Sequence, residues 1–170
     1  MVHHRIDLGL AHPREAQELA LMSRDLIETG LGWRYGHDAM LRFVRDPNAV
    51  VLAARARQQP IGFAVMQFDD ERAHLVLLAV RATHQRRGIA RRMLDWLVET
   101  ALTAGMQSIH VELRADNRTA HALYRALGFS EVLRIPGYYQ GREAALRMIR
   151  MLRAPGIVTE TWQPPTLDRT

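Results

Sequence analysis

The chain of 170 residues contains no cysteine and no lysine, so its 23 basic side chains are all arginine. Without cysteine there is no disulfide framework, thiolate nucleophile, zinc ribbon or iron–sulfur cluster. His110-Val111-Glu112 has the spacing of the His-x-Glu half of a zinc deaminase motif, but the Cys-x-x-Cys half is missing, and no metal is expected. No apolar run approaches the roughly 18–20 residues that span a bilayer. The start, Met1-Val2-His3-His4-Arg5-Ile6-Asp7, lacks the apolar stretch of a secretion signal. These absences give the expectation of a cytoplasmic protein without a membrane partner. The missing lysine fits a coding bias toward arginine; it also removes the one acylable side-chain amine.

What is present is ordinary for a folded domain. The chain is 48% hydrophobic and 24% charged with a net charge of +5, a globular composition long enough to bury its own core. Residues 154–170 contain three prolines and no period. The expected division is one domain over 1–153 and a tail over 154–170, in which Ile157, Val158 and Trp162 are available for docking.

Along the chain, Ala16, Leu19, Ala20, Ile27 and Leu31 recur at helical spacing until Gly30-Leu31-Gly32 breaks the pattern, and Asp38 to Phe43 makes a second short helix. The period then shifts to that of strands over 49–55, 61–68 and 74–80, the last apolar on both faces and hence central. A long amphipathic helix follows, with Met93, Leu94, Leu97, Val98 and Ala101 on one face, ending near Gly105. Ser108 to Arg114 alternates as a strand. Asp116 or Asn117 caps a helix with the stripe Ala120, Leu123, Tyr124 and Leu127, closed by Gly128. Strand patterns over 131–135 and 144–151 flank Pro136-Gly137-Tyr138-Tyr139-Gln140-Gly141, which reads as a loop. The order ααβββαβαββ gives an α/β (α+β) class with a mixed sheet flanked by helices.

Residues 81–92 hold five arginines and no acid. Gly88 and Ala90 in that strand-to-helix turn let backbone N–H groups approach an anion at the positive end of a helix dipole. The segment is neither a Walker loop nor Gly-x-Gly-x-x-Gly. No aromatic residue lies in it to stack on bases, and the whole chain has only 3 Trp, 4 Tyr and 4 Phe, so nucleic acid is not expected as a partner.

Gln85-Arg86-Arg87-Gly88-Ile89-Ala90 resembles the Gln/Arg-x-x-Gly-x-Gly/Ala signature of the GNAT N-acetyltransferase superfamily. Asn117 with Ala122-Leu123-Tyr124-Arg125-Ala126-Leu127-Gly128-Phe129 resembles its second motif. The likeness covers about residues 49–151. Val111 to Asn117, Tyr138-Tyr139, Gly141-Arg142-Glu143-Ala144 and Met148 are similar to the branch that modifies N-terminal amines, in particular a ribosomal-protein alanine; Gly30 to His37 departs from it. The resemblance implies a GNAT-like, mostly antiparallel sheet of six to seven strands with a splayed central pair. It also implies acetyl-CoA as co-substrate and an amine acceptor, a peptide N-terminus or a small molecule, with the enzyme a monomer or homodimer. By the resemblance, Leu78, Ala79 and Val80 pair with the pantetheine arm, and Gln85, Arg86, Arg87, Gly88, Ile89, Ala90 and Arg91 cradle the pyrophosphate. Asn117 and Tyr124 contact the coenzyme.

Acetyl transfer to an amine needs a neutral amine, a bound thioester, an oxyanion donor and a proton for the leaving thiolate. Glu112 lies opposite Val111 and Leu113 by alternation and can accept the amine proton directly or through water; an ion pair with an arginine such as Arg114 is the structural alternative. Tyr124 matches the family's general-acid position, with core packing as the alternative. A backbone N–H near Val80 is the natural oxyanion donor. His110 and His84 are further candidate bases, and Trp33, Tyr138 and Tyr139 are candidate substrate contacts. A non-catalytic acyl-CoA-binding module stands as the other reading.

Overall fold

Strand formation begins earlier than the helical pattern suggests. In a computed structural model that describes residues 5–153, Ile6–Leu10 forms β1, antiparallel to β2. The alternation of Ile6, Leu8 and Leu10 is its only local signal; the neighbouring strand supplies the rest. The order is therefore βααβββαβαββ, one strand longer than expected. The proposed tail over 154–170 lies outside the described residues.

After a 3-10 turn at Pro13–Glu15, α1 spans Ala16–Leu26 and α2 spans His37–Arg45. The first helix stops five residues short of Leu31, and Ile27 to Gly36 form a loop. Then come β2 (Ala49–Ala56), β3 (Gln59–Phe68), β4 (Arg72–Val80), α3 (Ile89–Thr103), β5 (Ser108–Arg114), α4 (Arg118–Ala126), β6 (Ser130–Tyr139) and β7 (Glu143–Met151). They make a seven-stranded sheet in the order β1-β2-β3-β4-β5-β7-β6. All pairs are antiparallel except β4 with β5. No helix among the described residues is long and apolar enough to cross a membrane.

One expected loop is strand. Pro136 to Tyr139 continue β6, and only Gln140 to Arg142 turn the chain. Proline is tolerated there because β6 is an edge strand, with an irregular register between Ile135 and Tyr139 and Gly137 at φ +64°.

Two cores sandwich the sheet. Leu75, Met93, Leu94, Leu97, Ile109, Val111 and Met148 belong to the first, under α3 and α4. Leu19, Met22, Met40, Phe63, Val65 and Leu77 belong to the second, under α1 and α2. Each of these fully covered side chains contributes about 1.5–3 kcal/mol by leaving water. A register shift opposite Val65/Met66 leaves Val76 as the extra residue of β4. This bulge inverts the alternation: Ala73 and Leu75 face the first core, Leu77 and Ala79 the second, and Val80 the first again. It explains why β4 reads as apolar on both faces. It also bends the strand away from β5. The parallel pairing runs only from Arg72↔Ser108 to Leu75↔Val111, and beyond it the two strands part.

Candidate active site

The fork between β4 and β5 exposes backbone. Arg81 N–H donates to Ile61 O at 2.8 Å, so alternation turns the N–H and C=O of Leu78 and Val80 away from β3, toward the gap. The Val80 carbonyl accepts from Gln85 Nε2 at 2.8 Å. The Leu78 groups and the Val80 N–H keep their hydrogen-bonding capacity for a molecule entering the fork. Ala79 bonds toward β3 instead and packs its side chain into the second core.

The turn that follows is built on Gly88 at φ +75°, which caps the N-terminus of α3. A Cβ there would meet nothing within 4 Å, so the requirement for glycine is conformational and the approach to the helix end is open. Gly88, Ile89, Ala90 and Arg91 present the first turn of α3 to a cleft of about 500 Å³, which Gln85 and Arg86 also line. Of the five arginines in this segment, Arg86 and Arg91 reach the cleft. Arg81 pairs with Glu18 at 3.0 Å and Arg92 donates to Ile6 O at 3.1 Å, both bracing other elements. Arg87 is exposed and outside the lining. The basic run is thus a two-arginine site with two structural braces, a distinction hidden by spacing alone.

The opposite wall comes from α4. Asn117 caps that helix, its Oδ1 accepting from Ala120 N–H at 3.1 Å, and it also lines the cleft. Tyr124, 6% exposed, stacks edge-on against Phe129 with centroids 5.4 Å apart and reaches the same cleft. Desolvation, with a smaller contribution from Tyr139, pushes its pKa far above the ordinary tyrosine value, so it is a phenol throughout the working range. His84 lines the cleft as well, with its Nδ1 2.8 Å from Thr83 Oγ1.

A second cavity, about 560 Å³, opens on the other face of the sheet, under the α1–α2 loop. Glu112 lines it as the first residue of β5 past the fork. Its Oε2 accepts from the Tyr138 hydroxyl at 2.6 Å, and its Oε1 from Arg147 Nη2 at 2.7 Å and Nε at 3.1 Å. Burial pushes the carboxyl pKa up, but the hydrogen bonds from Tyr138 and Arg147 outweigh it and hold Glu112 below the usual glutamate value. The ion pair is therefore with Arg147, not Arg114. Arg114 donates to the carbonyls of Thr29 (2.6 Å) and Ile27 (3.3 Å) and lies 5.8 Å from the centre of the Tyr139 ring, tying loop to hairpin.

Tyr138 and Tyr139 both line this cavity, whereas Trp33 sits outside the lining with Arg24 stacked over it at 5.4 Å. Two residues absent from the sequence reading join the site. Glu28, 6% exposed, accepts from Ser23 Oγ (2.8 Å), Arg34 N–H (2.6 Å) and Tyr35 N–H (3.2 Å), so a covered carboxylate pins the loop. The other is His74, on β4. His110 lies away from this cavity, beside Ser108 Oγ at 3.1 Å. The one signal for Glu28 was an acid where a helical stripe ends; for His74 it was a polar residue in a β-patterned apolar run. Among the described residues no group of three or more histidines and acids is arranged to hold a metal.

This cleft at a helix N-terminus, joined through a strand fork to a second cavity, belongs to a chain whose sequence matches a known family. The profile of the acetyltransferase (GNAT) family matches residues 19–129. The chain belongs to that family. Its relatives include the [ribosomal protein bS18]-alanine N-acetyltransferases of Salmonella typhimurium, 37% identical over 57% of this chain and 68% of that protein, and of Escherichia coli K12, 37% identical over 51% and 60%. The match thus spans about three fifths of the length of the latter. In architecture this acetyltransferase superposes on the crystal structure of the E. coli ribosomal-protein-S18-alanine N-acetyltransferase with a TM-score of 0.80, covering 92% of this chain and 99% of the other at 21% identity. Arabidopsis thaliana NAA60 in complex with acetyl-CoA gives a TM-score of 0.78 over 86% and 98%, at 19% identity. These likenesses bear out the expected fold: a mostly antiparallel seven-stranded sheet with four α-helices.

Proposed function

We propose that this acetyltransferase moves the acetyl group of acetyl-CoA directly to a primary amine, with a protein N-terminal α-amine as its acceptor. The observation that carries the reading is the fork: it joins a cleft suited to the coenzyme on one face of the sheet to a cavity suited to the acceptor on the other. Arg86, Arg91 and the free N–H groups at the start of α3 hold the pyrophosphate. Further back along β4 the Val80 N–H pairs with the amide-bearing arm, and the Leu78 N–H, nearer the fork, donates to the carbonyl oxygen as negative charge develops there.

The acceptor amine enters beside Glu112, whose charge orients it. After attack on the thioester carbon, Tyr124 gives its proton to the departing sulfur. Burial disfavours the phenolate as it does a free thiolate in the same cleft, so the charge passed to Tyr124 is transient and is discharged when the phenol regains a proton from solvent. No covalent enzyme intermediate is involved, in keeping with a chain without cysteine. The names of the curated relatives support the N-terminal acceptor, as do the Tyr138 and Tyr139 walls of the cavity.

The test combines titration calorimetry with acetyl-CoA and an acceptor panel read by CoA release. We expect micromolar donor binding and fastest release with peptides bearing a free N-terminal alanine. Absence of donor binding at high micromolar concentration refutes the reading. Binding with no CoA release from any amine identifies a non-catalytic acyl-CoA-binding module instead.

A further inference from the structure

We propose that His74 is the base of the transfer, taking the proton shed by the acceptor nitrogen, while Glu112 serves as the fixed anion that orients the amine. The inference rests on the acetyl-transfer reading above and assigns its proton acceptor.

His74 and His110 are partners across β4 and β5, one step before the last pair, Leu75↔Val111. Glu112 is the first residue of β5 past that pair. His74 and Glu112 therefore flank the mouth of the fork, and both line the acceptor cavity. Both also line a neighbouring cavity of about 500 Å³ on the outer side. The two cavities share Gln67, His74 and Glu112 as their common wall.

Glu112 is poorly placed to receive a proton. Each of its oxygens already accepts, one from Tyr138 and the other twice from Arg147. Protonation would break a charge-assisted bond. The His74 ring makes no hydrogen bond among the described residues, and so has a lone pair to offer.

The groups that face His74 are Glu112 and His110 from β5, Arg147 from β7, Arg72 from its own strand and Asp69 from the β3–β4 turn. Glu28 and Arg34 lie across the acceptor cavity. Desolvation lowers its pKa below the ordinary histidine value; Glu112 opposes this and Arg147 adds to it. His74 is solvent-exposed on β4, and the shift favours the uncharged imidazole, the form able to act as a base.

The step balances. The lone pair of the neutral amine attacks the thioester carbon, the C–N bond forms and the carbonyl π pair moves to oxygen. His74 takes the N–H proton. The oxyanion collapses, the C–S bond breaks and the pair leaves on sulfur, which is protonated by Tyr124. His74 then loses its proton to water in the outer cavity, and Tyr124 regains one from solvent. Amine and thioester become amide and thiol with no net proton change; an acceptor that arrives as ammonium releases one more proton.

The test uses the full chain. For His74→Gln we expect kcat at saturating substrates to fall by about 10²–10⁴-fold, with acetyl-CoA affinity by calorimetry unchanged. The wild-type kcat should decline as pH falls through a value below the ordinary histidine pKa, and this limb should vanish in the variant. Added imidazole should restore turnover to His74→Ala, an effect a purely structural histidine would not give. His74→Asn supplies the pH reading if the alanine variant does not bind acetyl-CoA. A kcat within threefold of wild type in His74→Gln overturns the proposal, as does retention of the acid limb in His74→Gln or His74→Asn. So does failure of imidazole to raise the turnover of a His74→Ala protein that binds the donor normally. A wild-type protein that transfers acetyl to no amine overturns the underlying reading instead.

Discussion

Replacing Tyr124 by phenylalanine separates chemistry from packing. The ring is buried on the α4 stripe and meets Phe129 at 5.4 Å, contacts that phenylalanine preserves. The hydroxyl makes no hydrogen bond among the described residues, so its removal leaves no buried partner unsatisfied, and the stability change should stay within about 1 kcal/mol. Loss of a general acid costs about 10²–10⁴ in rate, or about 3–5 kcal/mol of barrier. Acetyl-CoA affinity should change by less than about threefold, since the phosphate and arm contacts proposed above lie on β4, α3 and Asn117. The measurements are kcat from CoA release, Kd by calorimetry and a thermal melt, with a rapid-quench experiment to establish that acetyl transfer limits turnover. A kcat within threefold of wild type under chemistry-limited conditions would remove Tyr124 from the mechanism. A large fall in Tm would show instead that the hydroxyl serves the fold.

Glu28→Ala should leave the N–H groups of Arg34 and Tyr35 without their acceptor, destabilising the protein by about 2–4 kcal/mol. It should raise the acceptor KM roughly tenfold through the loosened loop while sparing acetyl-CoA binding; a change in donor affinity alone would contradict that placement. Gly88→Ala forces a side chain into φ +75°, costing about 1–2 kcal/mol in a denaturant titration, and should weaken acetyl-CoA binding about tenfold by crowding the helix N-terminus. Unchanged donor affinity would dissociate the turn from the coenzyme. The largely buried Glu15–Arg55 pair, with Arg55 Nε 2.9 Å from Oε2, holds the Glu15 carboxyl below its usual value although burial pushes the other way. Its stabilisation is complete above the unfolded pKa of about 4.3 and is lost as pH falls through the lower folded value. Glu15→Gln should therefore cost about 2–3 kcal/mol at pH 7 and almost nothing near pH 2, as read from paired urea titrations.

Local periodicity carried most of the architecture. β5 runs from Ser108 to Arg114 as its alternation indicates, and Asn117 caps α4 as its side-chain chemistry suggests. What eluded the sequence is long-range. β1 is too short to declare itself and exists because β2 offers it a ladder. Arg114, two residues from Glu112 on the same face, looked like its partner. The actual partners are 35 and 26 residues away, on β7 and β6, because antiparallel pairing places Arg147 directly opposite Glu112. The arginines of the 81–92 run divide by side-chain direction, which composition does not encode. The bulge at Val76 produced the both-faces apolar pattern that concealed His74, a residue whose meaning depends on where β4 and β5 cease to pair.

The fork has a kinetic consequence. On the proposed reading, donor and acceptor approach from opposite faces of a single sheet and meet across its thickness, so neither occupies the other's route. Both can therefore reside on the enzyme together, whichever arrives first, and initial-rate plots against either substrate should intersect instead of running parallel. An inhibitor that threads the opening and joins coenzyme to peptide would engage both faces at once, gaining from linkage what two separate ligands must each spend in lost translational freedom.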